Sequence, residues 1–162
     1  MEELTITEQP MRDVHIMMSE EFSELESRGI EECDRGNTLV ALMYLEKASQ
    51  KGKTPLLDSY LAYCLAREHN SYSEAIELGK GAMNEQSGNL VLYLNLAKIY
   101  ILAGQRNNAL KVLRQATKRG RDGRVLRLIK NLGIRKKPVF PFLQRENLIN
   151  IFLGKLRHKC LT

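Results

Sequence analysis

Three pairs of alanines constrain this chain more than any other feature. Ala41 and Ala48, Ala75 and Ala82, and Ala109 and Ala116 each stand seven residues apart, and each pair lies 34 residues from the next. That spacing keeps both members of a pair on one face of a helix. Small side chains there let a second helix approach closely, and larger ones would push the two apart. A fixed period of this length is the mark of helical hairpins stacked into a solenoid.

The third copy, Leu90 to Gly120, is the clearest. Leu92, Leu96, Ile99, Tyr100 and Ala103 recur at spacings of three and four, the apolar stripe of an amphipathic helix. Gly104 is placed to close it in the left-handed conformation, and the polar stretch from Gln105 to Asn108 carries the turn. A second helix follows with Ala109, Leu110, Leu113 and Ala116 inward. Upstream, the pattern predicts a long helix from about Arg12 to Arg35, with Val14, Met17, Met18, Phe22 and Leu25 on one face; the methionines are expected to fill core gaps, the alternative being an adaptable binding patch. Gly36-Asn37 turns the chain into Thr38 to Gln50. Thr54 caps a helix with Pro55 at its first position, running over Leu56 to Glu68. Ser71 with Glu74 forms a capping box for a helix ending near Asn84, in which Gly79 and Gly81 permit close packing. Beyond Gly120, Val125, Leu126, Leu128, Ile129 and Leu132 suit a short helix that ends at Gly133 and covers the last apolar face.

The alanine spacing resembles the tetratricopeptide repeat, whose helix-turn-helix unit has this period. The likeness covers about residues 22 to 120. Leu25 with Gly29, Leu61 with Ala62 and Leu96 with Ala97 fill the large and small positions of the first helices, the middle copy needing one extra residue in its turn. The resemblance implies an all-α solenoid of three repeats, with an N-terminal helix extension, a capping helix and a C-terminal amphipathic helix. It also implies a concave groove lined by first helices. The matching groove residues are Glu26, Ser27, Ile30, Cys33 and Asp34, then Ser59, Tyr60, Tyr63 and Arg67, then Leu94, Asn95, Lys98, Ile101 and Leu102. Family members that hold acidic chaperone tails use a clamp of lysines, asparagines and an arginine. Here those places carry Glu26, Ile30, Tyr60, Val91 and Asn95, so one suitable residue remains. In size the chain is similar to the chaperones of type III secretion translocators, and its tail resembles that of uncharacterised bacterial proteins of the family.

The expected organisation is a disordered segment over residues 1–10, a solenoid with capping helix over 11–133, and a basic tail over 134–162. In the tail, Pro138 and Pro141 enforce an extended stretch around Val139 and Phe140. Leu148, Ile149, Phe152, Leu153 and Leu156 then resume helical spacing to about Lys159. Charge is polarised: residues 1–105 carry net −8 and residues 106–162 net +14, which together give the formal +6. Arg114, Lys118, Arg119, Arg121, Arg124, Arg127, Lys130, Arg135, Lys136 and Lys137 form a basic patch.

Several functions find no support in the residues. The three histidines stand apart from any ligand at metal spacing, no nucleophile-base arrangement can be nominated, and no cofactor is implied. Glu20-Glu21 and Glu31-Glu32 are expected to point apart on a helix. The acidic start has no signal-peptide pattern, and Cys33, Cys64 and Cys160 are expected as reduced thiols in the cytosol. The leading expectation is therefore an adaptor or chaperone-like module binding an apolar segment of another protein in its groove. The alternatives are a groove filled by the chain's own tail, self-association through that tail, and contact of the basic end with nucleic acid or an anionic membrane surface.

Overall fold

The computed structural model describes residues 9–133, with side chains from Met17 onward. Seven helices and no strand occupy the described residues: α1 (Gln9–Arg35), α2 (Thr38–Ser49), α3 (Pro55–Glu68), α4 (Tyr72–Glu85), α5 (Leu90–Leu102), α6 (Arg106–Arg119) and α7 (Gly123–Gly133). The helices up to Ile129, within α7, build one compact unit. The expected extended stretch around Phe140, the helix from Leu148 to Lys159, and Arg135, Lys136 and Lys137 lie outside the described residues.

Each odd helix packs on the even helix that follows it: α1 on α2, α3 on α4, α5 on α6. Successive hairpins join through α1–α3 and α3–α5, and α2 also leans on α3 and α4 on α5. The odd helices are thus the continuous layer. Their spacing follows from the small residues. All six repeat alanines are at most 1% exposed, as are Ala62 and Ala97. Gly29 fills the same role in α1, where a methyl group would stand 2.7 Å from Leu45 Cδ2. α5, against α3, α4 and α6, buries eight of its thirteen residues. Each fully buried Leu or Ile among them contributes about 1.5–3 kcal/mol.

The turns read largely as written. Gly36 and Gly104 take φ of +93° and +72°, the left-handed region that ends α1 and α5. Thr54 Oγ1 accepts the Leu57 N–H at 3.0 Å and donates to Glu26, while Pro55 opens α3. Asn89 caps α5 by accepting the Val91 N–H at 3.1 Å.

Other expectations fail for identifiable reasons. α1 begins at Gln9 rather than near Arg12, because a proline in the first turn forfeits a donor that has no helical partner anyway. Ser71 makes no capping bond: Asn70 adopts φ +57° and leaves Ser71 at ψ 57°, away from the extended geometry a capping box requires. Met17 and Met18 are exposed, since α1 extends past the hairpin that would cover them. Gly79 does face Leu96, but Gly81 has open space around it. Glu31 and Glu32 converge rather than diverge, because Arg35 lies four and three residues on and its guanidinium bonds both, at 2.5 and 2.6 Å. α7 buries Val125 while Leu126 stays open.

Candidate protein-binding face

The odd helices bring a mixed cluster together. Asp34 from α1 accepts the Tyr60 hydroxyl of α3 with both carboxylate oxygens at 3.2 Å. Burial, reinforced by that carboxylate, pushes the Tyr60 phenol well above its ordinary range. One turn along α3, the Tyr63 ring receives the Lys98 ammonium of α5, 4.9 Å from its centroid and within cation–π range. Burial raises the Tyr63 phenol as well, against the opposing charge of Arg67. Lys98 Nζ also lies 3.5 Å from Asn95 Oδ1, and Asn95 Nδ2 donates to Ser59 Oγ at 3.2 Å. Cys33 and Cys64 meet beside these groups, Sγ to Sγ 3.8 Å. At the start of α7, the charge of Arg124 opposes the rise at Tyr60, and the Asp34 carboxylate is among the groups that raise the Arg124 guanidinium.

Burial sorts the residues expected in a groove. Tyr60, Leu94 and Asn95 are 3%, 5% and 1% exposed, so they hold helices together rather than meet solvent. Cys33 and Ser59 are buried too, and Glu26 is committed to Thr54. Ile30, Tyr63, Lys98, Ile101 and Leu102 are half-buried, and Ser27, Asp34 and Arg67 are exposed. The open part of this face is accordingly aromatic and aliphatic with basic groups beside it.

Residues 66–132 match the family model described as tetratricopeptide repeat (TPR). The solenoid is a TPR fold. Solved structures agree with it at low identity. The P58(IPK) TPR domain aligns with TM-score 0.59 at 13% identity, over 74% of this chain and 35% of that one. The chain thus spans about a third of that protein's solved length. The second TPR domain of human RPAP3, solved with the HSP70 peptide SGPTIEEVD, aligns at 0.58 and 12% identity over 73% of this chain and 99% of that one. The Sgt2 TPR domain from Aspergillus fumigatus gives 0.56 and 16% over 70% and 77%. No curated protein matches the chain in sequence.

Elsewhere on the TPR unit, the basic residues are partly engaged. Arg114, Lys118, Arg119, Arg121, Arg124 and Arg127 are all exposed. Arg119 stacks over the Tyr93 ring at 5.2 Å, and Arg124 pairs with Asp122 at 2.9 Å. Asp122 also accepts the Arg124 N–H at 2.7 Å, which helps cap α7, and these bonds hold its carboxyl below the usual range. An aspartate immediately before an apolar-periodic helix was the available signal for that cap. A separate cleft of about 290 Å³ opens on the other side of α5, with Tyr100 and Val112 in its wall and Lys80 and Lys111 beside them. No feature of the sequence singled it out. No helix among the described residues is long and apolar enough to cross a membrane.

Proposed function

We propose that this chain is a non-catalytic interaction module that holds an extended segment of another protein on the odd-helix face. The carrying observation is the row of half-open side chains Ile30, Tyr63, Lys98, Ile101 and Leu102, drawn from three helices that pack side by side. Tyrosine and aliphatic surface offers contact area at low entropy cost, and a monomer gains by covering it. Lys98 and Arg67 add positive charge, so the favoured ligand combines apolar anchors with an acidic group. The peptide complex of the RPAP3 domain supports peptide capture as the class of activity. It does not support the same ligand here. Of the places where chaperone-tail binders carry their clamp, Tyr60 and Asn95 are buried in this chain and Glu26 is bonded to Thr54. The setting of this reading is the cytoplasm of a bacterial cell.

The test is fluorescence anisotropy with peptides selected against the full chain from a random display library. Tyr63→Ala and Lys98→Ala should each weaken binding about 10-fold or more, with far-UV circular dichroism unchanged, since an aromatic anchor covered by the ligand and a cation facing its acidic group carry such effects. Equal affinity in both variants would overturn the reading. Binding that vanishes with salt yet ignores Tyr63 would point instead to charge-driven contact with the basic face.

A further inference from the structure

Two thiols 31 residues apart in sequence lie Sγ to Sγ at 3.8 Å across the seam between α1 and α3. They share a core cluster with Leu42, Leu45, Leu57 and Tyr60. We propose that Cys33 and Cys64 form a dithiol that hydroperoxides oxidise to a disulfide, tying the first repeat to the second. A disulfide needs about 2.05 Å, so the sulfurs must close by about 1.8 Å, a movement shared between two side chains on helices already in contact. The environment divides the roles. Cys33 keeps 6% exposure, whereas Cys64 has none, so a small oxidant reaches Cys33 first. Cys64 donates its thiol hydrogen toward Cys33, and that bond, with the charge of Lys98, lowers the Cys33 thiol. The same contact keeps Cys64 protonated. Isolated buried cysteines are inert. A pair whose outer thiol is lowered by its neighbour and by a nearby positive charge is the arrangement that reacts.

The chemistry closes with the hydroperoxide as oxidant. The Cys33 thiolate attacks the terminal oxygen, the O–O bond breaks, and Cys33 becomes a sulfenic acid while the departing oxygen takes a proton from water. The Cys64 sulfur then attacks the Cys33 sulfur. The S–S bond forms, the S–O bond breaks, and hydroxide leaves with the Cys64 proton as water. Two thiols lose two electrons, and the peroxide is reduced to an alcohol, or to water when it is hydrogen peroxide. The inference extends the expectation of reduced thiols: they are the resting state, and the disulfide forms under peroxide. It holds whether or not the odd-helix face takes a peptide.

The experiment treats the full chain with hydrogen peroxide, traps remaining thiols with N-ethylmaleimide, and maps linked peptides by mass spectrometry. The expected result is a peptide pair joined through Cys33 and Cys64, with a loss of about 2 Da from the intact chain. The melting midpoint should rise by roughly 5–10 °C and fall back with dithiothreitol, as a bridge closing a loop of this length implies. Cys64→Ser should instead accumulate a Cys33 sulfenic acid that dimedone captures. If that variant does not fold, the wild-type map decides alone. Free Cys33 and Cys64 after peroxide has consumed Cys160, or a bridge from either to Cys160, would overturn the inference.

Discussion

Adding one methyl group at Gly29 measures how tightly the first hairpin is closed. Built on the Gly29 backbone, a Cβ lies 2.7 Å from both Cγ and Cδ2 of Leu45 and 3.3 Å from the Leu45 backbone nitrogen. Carbons prefer about 3.5–4.0 Å, so the new methyl intrudes by about 1 Å. Leu45 has no exposed surface into which it can swing. Overpacking of this kind costs about 1–3 kcal/mol, whereas replacing glycine by alanine inside a helix returns about 1 kcal/mol. Gly29→Ala should therefore destabilise the chain by about 1 kcal/mol, and by no more than about 2. Gly81→Ala is the control. It adds the same methyl inside α4 with nothing within 4 Å, so it should stabilise by about 0.5–1 kcal/mol. Thermal unfolding followed by far-UV circular dichroism reads both, at about 2–4 °C per kcal/mol for a chain of this size. The two variants should move the midpoint in opposite directions. A Gly29→Ala chain as stable as Gly81→Ala would refute the claim that α1 and α2 pack like the later hairpins.

Caps and titration supply two more predictions. Thr54→Ala removes the acceptor for the Leu57 N–H and the bond to Glu26, and should cost about 1–2 kcal/mol in urea unfolding, whereas Ser71→Ala, with no capping bond to lose, should stay within about 0.5. The Tyr60 phenol keeps its proton in the folded chain above the ordinary pKa of 10.0. Above that pH the unfolded chain binds fewer protons than the folded one, so stability is full below it and falls as pH rises through and beyond it. Urea midpoints across this range should decline, and the decline should be shallower in Tyr60→Phe.

How much could be read beforehand depended on range. The alanine pairs, Gly29 and the Thr54-Pro55 start declare themselves locally, because each demands one geometry from its own helix or turn. Repeat position alone did not tell which first-helix residues stay open. Tyr60, Leu94 and Asn95 occupy groove positions in the pattern, yet the closeness of α1, α3 and α5 buries them. Ser71 failed as a capping box because the left-handed Asn70 sets its backbone, which residue identity does not reveal. The approach of Cys33 to Cys64 joins the first helices of two successive hairpins, with all of α2 between them in the chain, and the irregular length of the middle turn hid their register. On the odd-helix face, Tyr63 and Lys98 were both expected, but their stacking is a contact between repeats that only the assembled solenoid supplies.

The most direct measurement is hydrogen exchange on the full chain with and without a display-selected peptide, using SGPTIEEVD as the comparison ligand. Added protection is expected to concentrate in α3 and α5, over residues 59–67 and 94–102, with little response to SGPTIEEVD. Protection falling instead on α4 and α6 around Lys80 and Lys111, with α3 unchanged, would contradict that expectation.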